Sequence, residues 1–138
     1  MVSYKTDIEV RYAETDQMGV VHHSKYLIYC ELGRVQWLNH LGLSYAEMER
    51  NGIMLPVVSV SLNYKFPTRF GEKIYVTTDL KKIPTSKIVF DYLIYNSDDR
   101  LLVEAQTTLV FVDQSTNRPM RPPHFFMEKL KPYFKELQ

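Results

Sequence analysis

The feature that most constrains the fold is a helix that is apolar nearly all round. The run from Lys25 to Leu41 repeats at three- and four-residue intervals, which is typical of an α-helix. The repeating residues are Leu27, Glu31, Arg34, Val35, Leu38 and Leu41. The first half, Tyr-Leu-Ile-Tyr-Cys from Tyr26, offers water no polar face, and such a helix is normally buried on most sides. The rest of the chain must therefore wrap around it.

Capping residues predict where this helix and a second one begin and end. Ser24 can serve as the N-cap of the long helix, and Gly42 is a natural stop just beyond it. Ser44 and Glu47 match the S-x-x-E capping box, so a short helix is predicted from there to Gly52.

Most of the remaining chain alternates between apolar and polar residues, as half-buried strands do. Alternation predicts a first strand from Tyr4 to Tyr12 and a second that ends at Pro67. Three more strands are predicted at about residues 72–83, 87–96 and 101–113. The turns between the last strands are too short for a crossover helix, so these strands should pair antiparallel. A final short helix is expected at Phe125–Leu137, loosened by Pro132.

This order of elements predicts the fold class. One strand, one apolar helix and four consecutive antiparallel strands form an α+β pattern in which the sheet must curl around the helix to hide it. That is the layout of a hotdog fold, an antiparallel sheet around a long central helix. The length of 138 residues suits a single domain, so we predict one hotdog domain over residues 1–138.

Charge and cysteine content narrow the classes of partner. Seventeen Lys and Arg against sixteen Asp and Glu give a net charge of +1, so no global field draws the chain to nucleic acid or to an anionic membrane. Cys30 is the only cysteine, which excludes an intrachain disulfide framework and fits a reducing compartment. No stretch approaches the ~18 apolar residues of a membrane span, and the N-terminus does not read as a signal peptide. We predict a cytoplasmic protein.

The chemistry is predicted to lie in the loop before the long helix. Asp16 stands in a segment, residues 13–23, that runs directly into the helix N-terminus. A helix N-terminus presents unpaired N–H groups that can hold an oxyanion, and a carboxylate can act as nucleophile or general base. Gly19 suits a tight turn or a close approach of ligand to backbone. Such a pairing suits acyl transfer, although an Asp before a helix is more often a cap or turn residue.

The same loop carries a family resemblance. The segment Val10-Arg-Tyr-Ala-Glu-Thr-Asp-Gln-Met-Gly-Val-Val-His-His23, followed by Tyr26-Leu27 and by Glu31 with Arg34, resembles the 4-hydroxybenzoyl-CoA thioesterase-like branch of hotdog proteins. It is most similar to the short bacterial acyl-CoA thioesterases of that branch. The likeness continues through Leu55-Pro-Val57 and residues 64–72, and so covers nearly the whole chain.

The resemblance implies roles for particular residues. It implies that Asp16 is the essential carboxylate and that the backbone N–H of His23 faces the thioester carbonyl, with the His23 side chain assisting as in some relatives. Gly19 and Tyr26 match positions whose roles are chiefly structural and border the substrate. His22 stands where relatives often have an aromatic residue, so it is expected to line the acyl pocket.

The resemblance also implies partners. Relatives work as homodimers or homotetramers with the active site between subunits, and they use no cofactor. Their substrate, acyl-CoA, carries phosphates that scattered basic residues hold. The candidates in this chain are Arg69, Lys82, Lys87, Arg118 and Arg121, of which Arg69 and Lys87 are the primary predictions.

Simpler explanations apply to several polar residues. The adjacent His22 and His23 project in different directions, unlike zinc ligands at i, i+4, so we expect no metal site. Cys30 is expected to pack in the core as a small hydrophobe. Glu31 is expected to pair with Arg34 three residues later rather than to act directly.

Two other functions fit the predicted fold. A hydroxyacyl-thioester dehydratase would need a His and a carboxylate arranged for proton abstraction, and the loop resembles thioesterases more closely. A non-catalytic hotdog module that binds acyl thioesters is the alternative from another class. Tight binding without turnover would identify it.

Overall fold

A five-stranded antiparallel sheet with a helix across one face forms the body of the protein. The computed structural model describes all 138 residues. The helices are α1 (Tyr26–His40), α2 (Tyr45–Arg50) and α3 (His124–Leu130). The strands are β1 (Val2–Glu9), β2 (Ile53–Met54), β3 (Val57–Tyr64), β4 (Lys73–Leu80), β5 (Lys87–Asn96), β6 (Leu101–Val110), β7 (Val112–Asp113) and β8 (Arg118–Pro119). The main sheet has the order β1-β4-β5-β6-β3, and β2, β7 and β8 form a small second sheet.

The core lies between α1 and the inner face of the main sheet. α1 packs on β1, β4 and β5, where alternate residues such as Ile74 and Val76 are buried. Trp37 is fully buried on the helix and donates from Nε1 to the carbonyl of Val2 at 3.0 Å. This arrangement confirms the predicted hotdog fold, and none of the helices is long and apolar enough to cross a membrane.

Gly33 lets α1 approach the sheet closely. A Cβ at this position would lie 2.5 Å from Thr78 Oγ1 and 3.2 Å from Val76 Cγ1. Helix propensity alone favours Ala over Gly by about 1 kcal/mol, but overpacking a core costs about 1–3 kcal/mol. We therefore expect Gly33→Ala to lower the free energy of unfolding, measured in urea. The double variant Gly33→Ala/Thr78→Ala removes the nearest clash and should lose less stability than the two single changes together.

The structure corrects several predicted boundaries. Ser24 is not the N-cap of α1, because it lies within a 3₁₀ turn, His23–Lys25, that precedes the helix. The first strand ends at Glu9, and Tyr12 is exposed within a second 3₁₀ turn rather than buried. The predicted C-terminal helix ends at Leu130 and gives way to 3₁₀ turns around Pro132. At Ser44 the capping prediction is confirmed, since its hydroxyl accepts from the Glu47 N–H at 3.0 Å.

The predicted ion pair between Glu31 and Arg34 is wrong. Glu31 is exposed, whereas Arg34 is buried and donates to the hydroxyls of Tyr45 at 2.6 Å and Tyr92 at 2.9 Å. A spacing of three residues on a helix is therefore not sufficient for contact. Cys30 is fully buried as predicted, and burial raises the pKa of its thiol to about 12.

Candidate functional site

Asp16 lies in a tight turn of the loop between β1 and α1. Its N–H donates to the carbonyl of Val20 at 2.8 Å, and its Oδ1 accepts from the N–H groups of Met18 at 2.8 Å and Val20 at 3.4 Å. The other carboxylate oxygen, Oδ2, accepts no hydrogen bond from the chain, and the residue is exposed. Gly19 has a φ of +75°, which gives this turn the left-handed conformation that glycine adopts without strain. Asp16 therefore offers one held oxygen and one free oxygen.

The beginning of the helical run lies directly after this turn. His23 starts the 3₁₀ turn that leads into α1, and the first N–H groups of a helical run have no partner within it. The His22 ring forms hydrogen bonds with a residue of the next turn: its Nδ1 lies 2.8 Å from Ser24 Oγ and accepts from the Ser24 N–H. The rings of His22 and His23 lie 4.1 Å apart, and both side chains are exposed.

Tyr26 and Tyr64 join this helix start to the sheet. Tyr26 is 3% exposed and donates a hydrogen bond from its hydroxyl to Thr68 Oγ1 at 3.2 Å. Tyr64, on β3, donates to the carbonyl of His23 at 3.1 Å and packs its ring 5.5 Å from that of Tyr26. The sequence analysis did not single out Tyr64, since nothing local marks a strand tyrosine as a neighbour of a loop about 40 residues earlier.

A buried carboxylate was also missed by the sequence analysis. Glu14 is 4% exposed and accepts hydrogen bonds from Arg11 and Tyr29. Burial alone would raise the pKa of the Glu14 carboxyl, but these hydrogen bonds outweigh burial and hold its pKa below the usual range. Burial and the neighbouring Glu14 raise the pKa of the Tyr29 hydroxyl. In the sequence, the only indication of a paired Glu14 was its position three residues after Arg11.

The candidate substrate-binding residues fall into two groups. Arg69 lies beside the Asp16 loop, because it forms a bridge with Val20. Lys87 lies far from this loop. It is the first residue of β5, and the opposite end of that strand, at Asn96, is the one near the loop. A strand rises about 3.3 Å per residue, so nearly 30 Å of strand separates Lys87 from that end. Lys81, Lys82 and Lys87 instead line a surface depression at the opposite end of the sheet.

Large apolar side chains are open to water on α1, along β3 and in the loops near the site. The exposed side chains are Leu27, Ile28 and Leu32 on α1, Val57, Val58, Val60 and Tyr64 on β3, and Tyr12, Met18, Phe66 and Phe70 in the loops. β3 is one of the two edges of the main sheet, the other being β1, and pairs only with β6. Monomeric proteins rarely expose an apolar patch next to a free sheet edge, since both invite association.

Comparisons with known proteins assign the family. The sequence profile of the thioesterase-like superfamily matches residues 10–130. The chain is 40% identical over 117 residues to the Bacillus subtilis protein YneP, whose name provisionally assigns it to the acyl-CoA thioesterases, with 85% of each chain covered. It is 26% identical over 128 residues to the acyl-CoA thioester hydrolase YbgC of Escherichia coli O157:H7, covering 93% of this chain and 96% of that one.

A solved structure agrees with the sequence matches. The DHNA-CoA thioesterase from Staphylococcus aureus superposes with a TM-score of 0.83 and 36% identity, over 99% of this chain and 86% of that one. The fold, the site geometry and these matches together show that the chain belongs to the thioesterase-like superfamily and is a hotdog thioester hydrolase.

Proposed function

We propose that the chain hydrolyses acyl-CoA thioesters, with Asp16 as the essential carboxylate. The observation that carries this proposal is the free Oδ2 of Asp16 in the loop that leads to the His23 N–H, the first of the helical run. A carboxylate and an oxyanion donor together can carry out acyl transfer from a thioester. The names of YneP, YbgC and the Staphylococcus aureus enzyme support a CoA thioester as the substrate.

The proposed reaction begins with the thioester carbonyl oxygen facing the His23 N–H. Asp16 either attacks the carbonyl carbon or takes a proton from a water molecule that attacks it. In both routes the negative charge that develops on the carbonyl oxygen is stabilised at the helix N-terminus. Collapse of the tetrahedral intermediate breaks the C–S bond, and the CoA thiolate leaves and is protonated. In the first route, water then hydrolyses the acyl–Asp16 anhydride.

Other candidate residues surround this carbonyl position. His22 and His23 expose their rings beside the helix start, where we propose that His22 lines the acyl pocket and that His23 assists. Gly19 and Tyr26 hold the loop and the helix in place and border the substrate. Arg69 is proposed to hold a CoA phosphate, because its guanidinium is exposed beside the loop.

A second copy of the chain is proposed to complete the site. The free edge of β3 can pair antiparallel with the same strand of a partner around a two-fold axis. Such pairing places the Tyr64 end of one β3 beside the Val57 end of the other. Within each chain, Val57 pairs with Leu109, and the next residue, Val110, pairs with Lys87. Lys87 therefore lies at the Val57 end of the sheet, and the pairing of two chains brings this end of the partner to the Asp16 end of the first chain.

This arrangement accounts for the distance of Lys82, Lys87 and Arg118 from Asp16 within one chain. Lys82, Lys87 and Arg118 all lie at the end of the sheet that the partner would bring to Asp16. We therefore propose that Lys87 binds CoA in the site of the neighbouring subunit of a homodimer or homotetramer. The cytoplasmic location stays a prediction from the sequence.

We expect purified protein to release free thiol from at least one acyl-CoA in a panel of short, long and aromatic acyl groups. Thiol release is followed spectrophotometrically, and the acid product is identified by mass spectrometry. Matching acyl groups on a carrier protein form a second set and show which thioester is preferred. Saturable binding of acyl-CoA without thiol release from any substrate would contradict hydrolysis and would identify a binding module instead.

A further inference from the structure

The Asp16 loop is fastened at two places, and only one of them includes a buried charge. After Asp16, the loop is joined to the segment that precedes β4: the Val21 N–H donates to the Thr68 carbonyl at 2.7 Å, and the Phe70 N–H donates to the Gly19 carbonyl at 3.2 Å. These two hydrogen bonds join backbone atoms, so they include no charged group. Before Asp16, the loop is held by Glu14, which lies two residues earlier in the chain.

Glu14 uses both carboxylate oxygens. Its Oε1 accepts from the Arg11 N–H and from the Tyr29 hydroxyl, each at 2.9 Å. Its Oε2 accepts from Arg11 Nε at 2.9 Å and Nη2 at 2.7 Å. Tyr29 is fully buried in the first turn of α1, whereas Arg11 follows β1. A single carboxylate therefore links the end of β1, the loop and the helix.

The backbone of Glu14 closes the loop at the same point. Its carbonyl accepts from the His22 N–H at 2.9 Å, and the next residue, Thr15, forms a bridge with Val21. The two sides of the loop are thus joined directly above the Asp16 turn. Since the Asp16 carboxylate is held only by N–H groups of its own turn, its position relative to the helix start depends on these links.

We infer that Glu14 is a positioning residue, which holds the Asp16 carboxylate against the N–H groups at the start of the helical run. For its effect on rate, this inference rests on the hydrolysis proposed above. A buried, fully hydrogen-bonded carboxylate is costly to replace, because its partners lose their acceptor. Displacement of a catalytic group by about 1 Å can cost about 100-fold in rate. Glu14 is 4% exposed and both of its oxygens are bonded to Arg11 and Tyr29, so its effect is exerted through Asp16.

The test compares Glu14→Gln with the wild type by kinetics and by hydrogen–deuterium exchange. Gln has the same size as Glu but lacks its charge and one acceptor oxygen. We expect kcat to fall about 10- to 100-fold while KM changes less than about threefold, since displacement affects the reacting geometry more than binding. Amide exchange over residues 15–23 should become faster. Tyr29→Phe removes the hydrogen bond from the Tyr29 hydroxyl to Glu14. It should lower kcat and speed amide exchange over residues 15–23, each by less than Glu14→Gln does.

Tyr92→Phe is the matched control. Tyr92 is a buried tyrosine that bonds Arg34 and Thr107 and lies away from the loop. It should lower Tm without changing kcat or loop exchange. Unchanged exchange over residues 15–23 in Glu14→Gln would overturn the inference, whether or not the protein hydrolyses acyl-CoA. Equal falls in kcat for Glu14→Gln and Tyr92→Phe would overturn it as well. A wild type that releases no thiol contradicts only the proposed function.

Discussion

Asp16→Asn is expected to lower kcat about 10³-fold or more, because an amide is neither a nucleophile nor a base at neutral pH. The folded structure should be preserved, since Asn Oδ1 can still accept from the N–H groups of Met18 and Val20. Asp16 is exposed, so the change leaves no buried group unpaired. We therefore expect Tm within a few degrees of the wild type.

Thiol release by both proteins under saturating acyl-CoA measures this effect. Glu9→Gln is the matched control, because Glu9 is an exposed carboxylate at the end of β1 and is expected to leave kcat unchanged. Equal rates for the wild type and Asp16→Asn would show that Asp16 is only a turn residue.

A single turnover in ¹⁸O-labelled water tests the covalent route in which the acyl anhydride is hydrolysed at the Asp16 carbonyl. With enzyme in excess, a nucleophilic Asp16 carboxylate acquires label when its acyl anhydride is hydrolysed by water at the Asp16 carbonyl. Water attack at the acyl carbonyl would instead place the label in the product acid and leave Asp16 unlabelled however many turnovers occur, so label in Asp16 identifies the covalent route with hydrolysis at Asp16. A general base leaves Asp16 unlabelled in every turnover. Mass spectrometry of the peptide that contains Asp16 gives the result.

The double variant Val58→Lys/Val60→Lys is expected to dissociate the protein and to lower kcat/KM by about 100-fold. These two side chains are exposed on the β3 edge, where pairing with a partner would bring the four introduced charges together. Like charges facing each other across a strand pair are destabilising, and desolvation at an interface increases that cost. Light scattering coupled to size exclusion should then give the mass of one chain, 16.3 kDa.

Tyr133→Lys is the control for this variant. Tyr133 is also an exposed apolar side chain, but it lies in the C-terminal segment rather than on β3. We expect this control to retain both the oligomeric mass and the activity of the wild type. A wild type that is fully active as a single chain would contradict the two-subunit site.

Local patterns were sufficient for the order of the elements. β5 has the bounds that alternation predicted, Lys87–Asn96. It lies between two other strands, and every second residue from Ile88 to Ile94 is a large buried side chain. The loop at Asp16 and the turn at Gly19 were also predictable, since both depend on a few consecutive residues. The two-residue strands β2 and β8 were not, because so short a segment has no periodicity.

The chain sequence by itself determined the antiparallel hotdog arrangement and the place of the Asp16 loop before α1, because alternation, caps and turns act over a few residues. Only the tertiary structure decided that Glu14 bonds Tyr29, that Arg34 bonds Tyr92, and that β3 remains an open edge. Each of these depends on contacts between residues far apart in the chain, or on the absence of a neighbouring strand. Burial and pairing are properties of the folded whole, and no short window of sequence contains them.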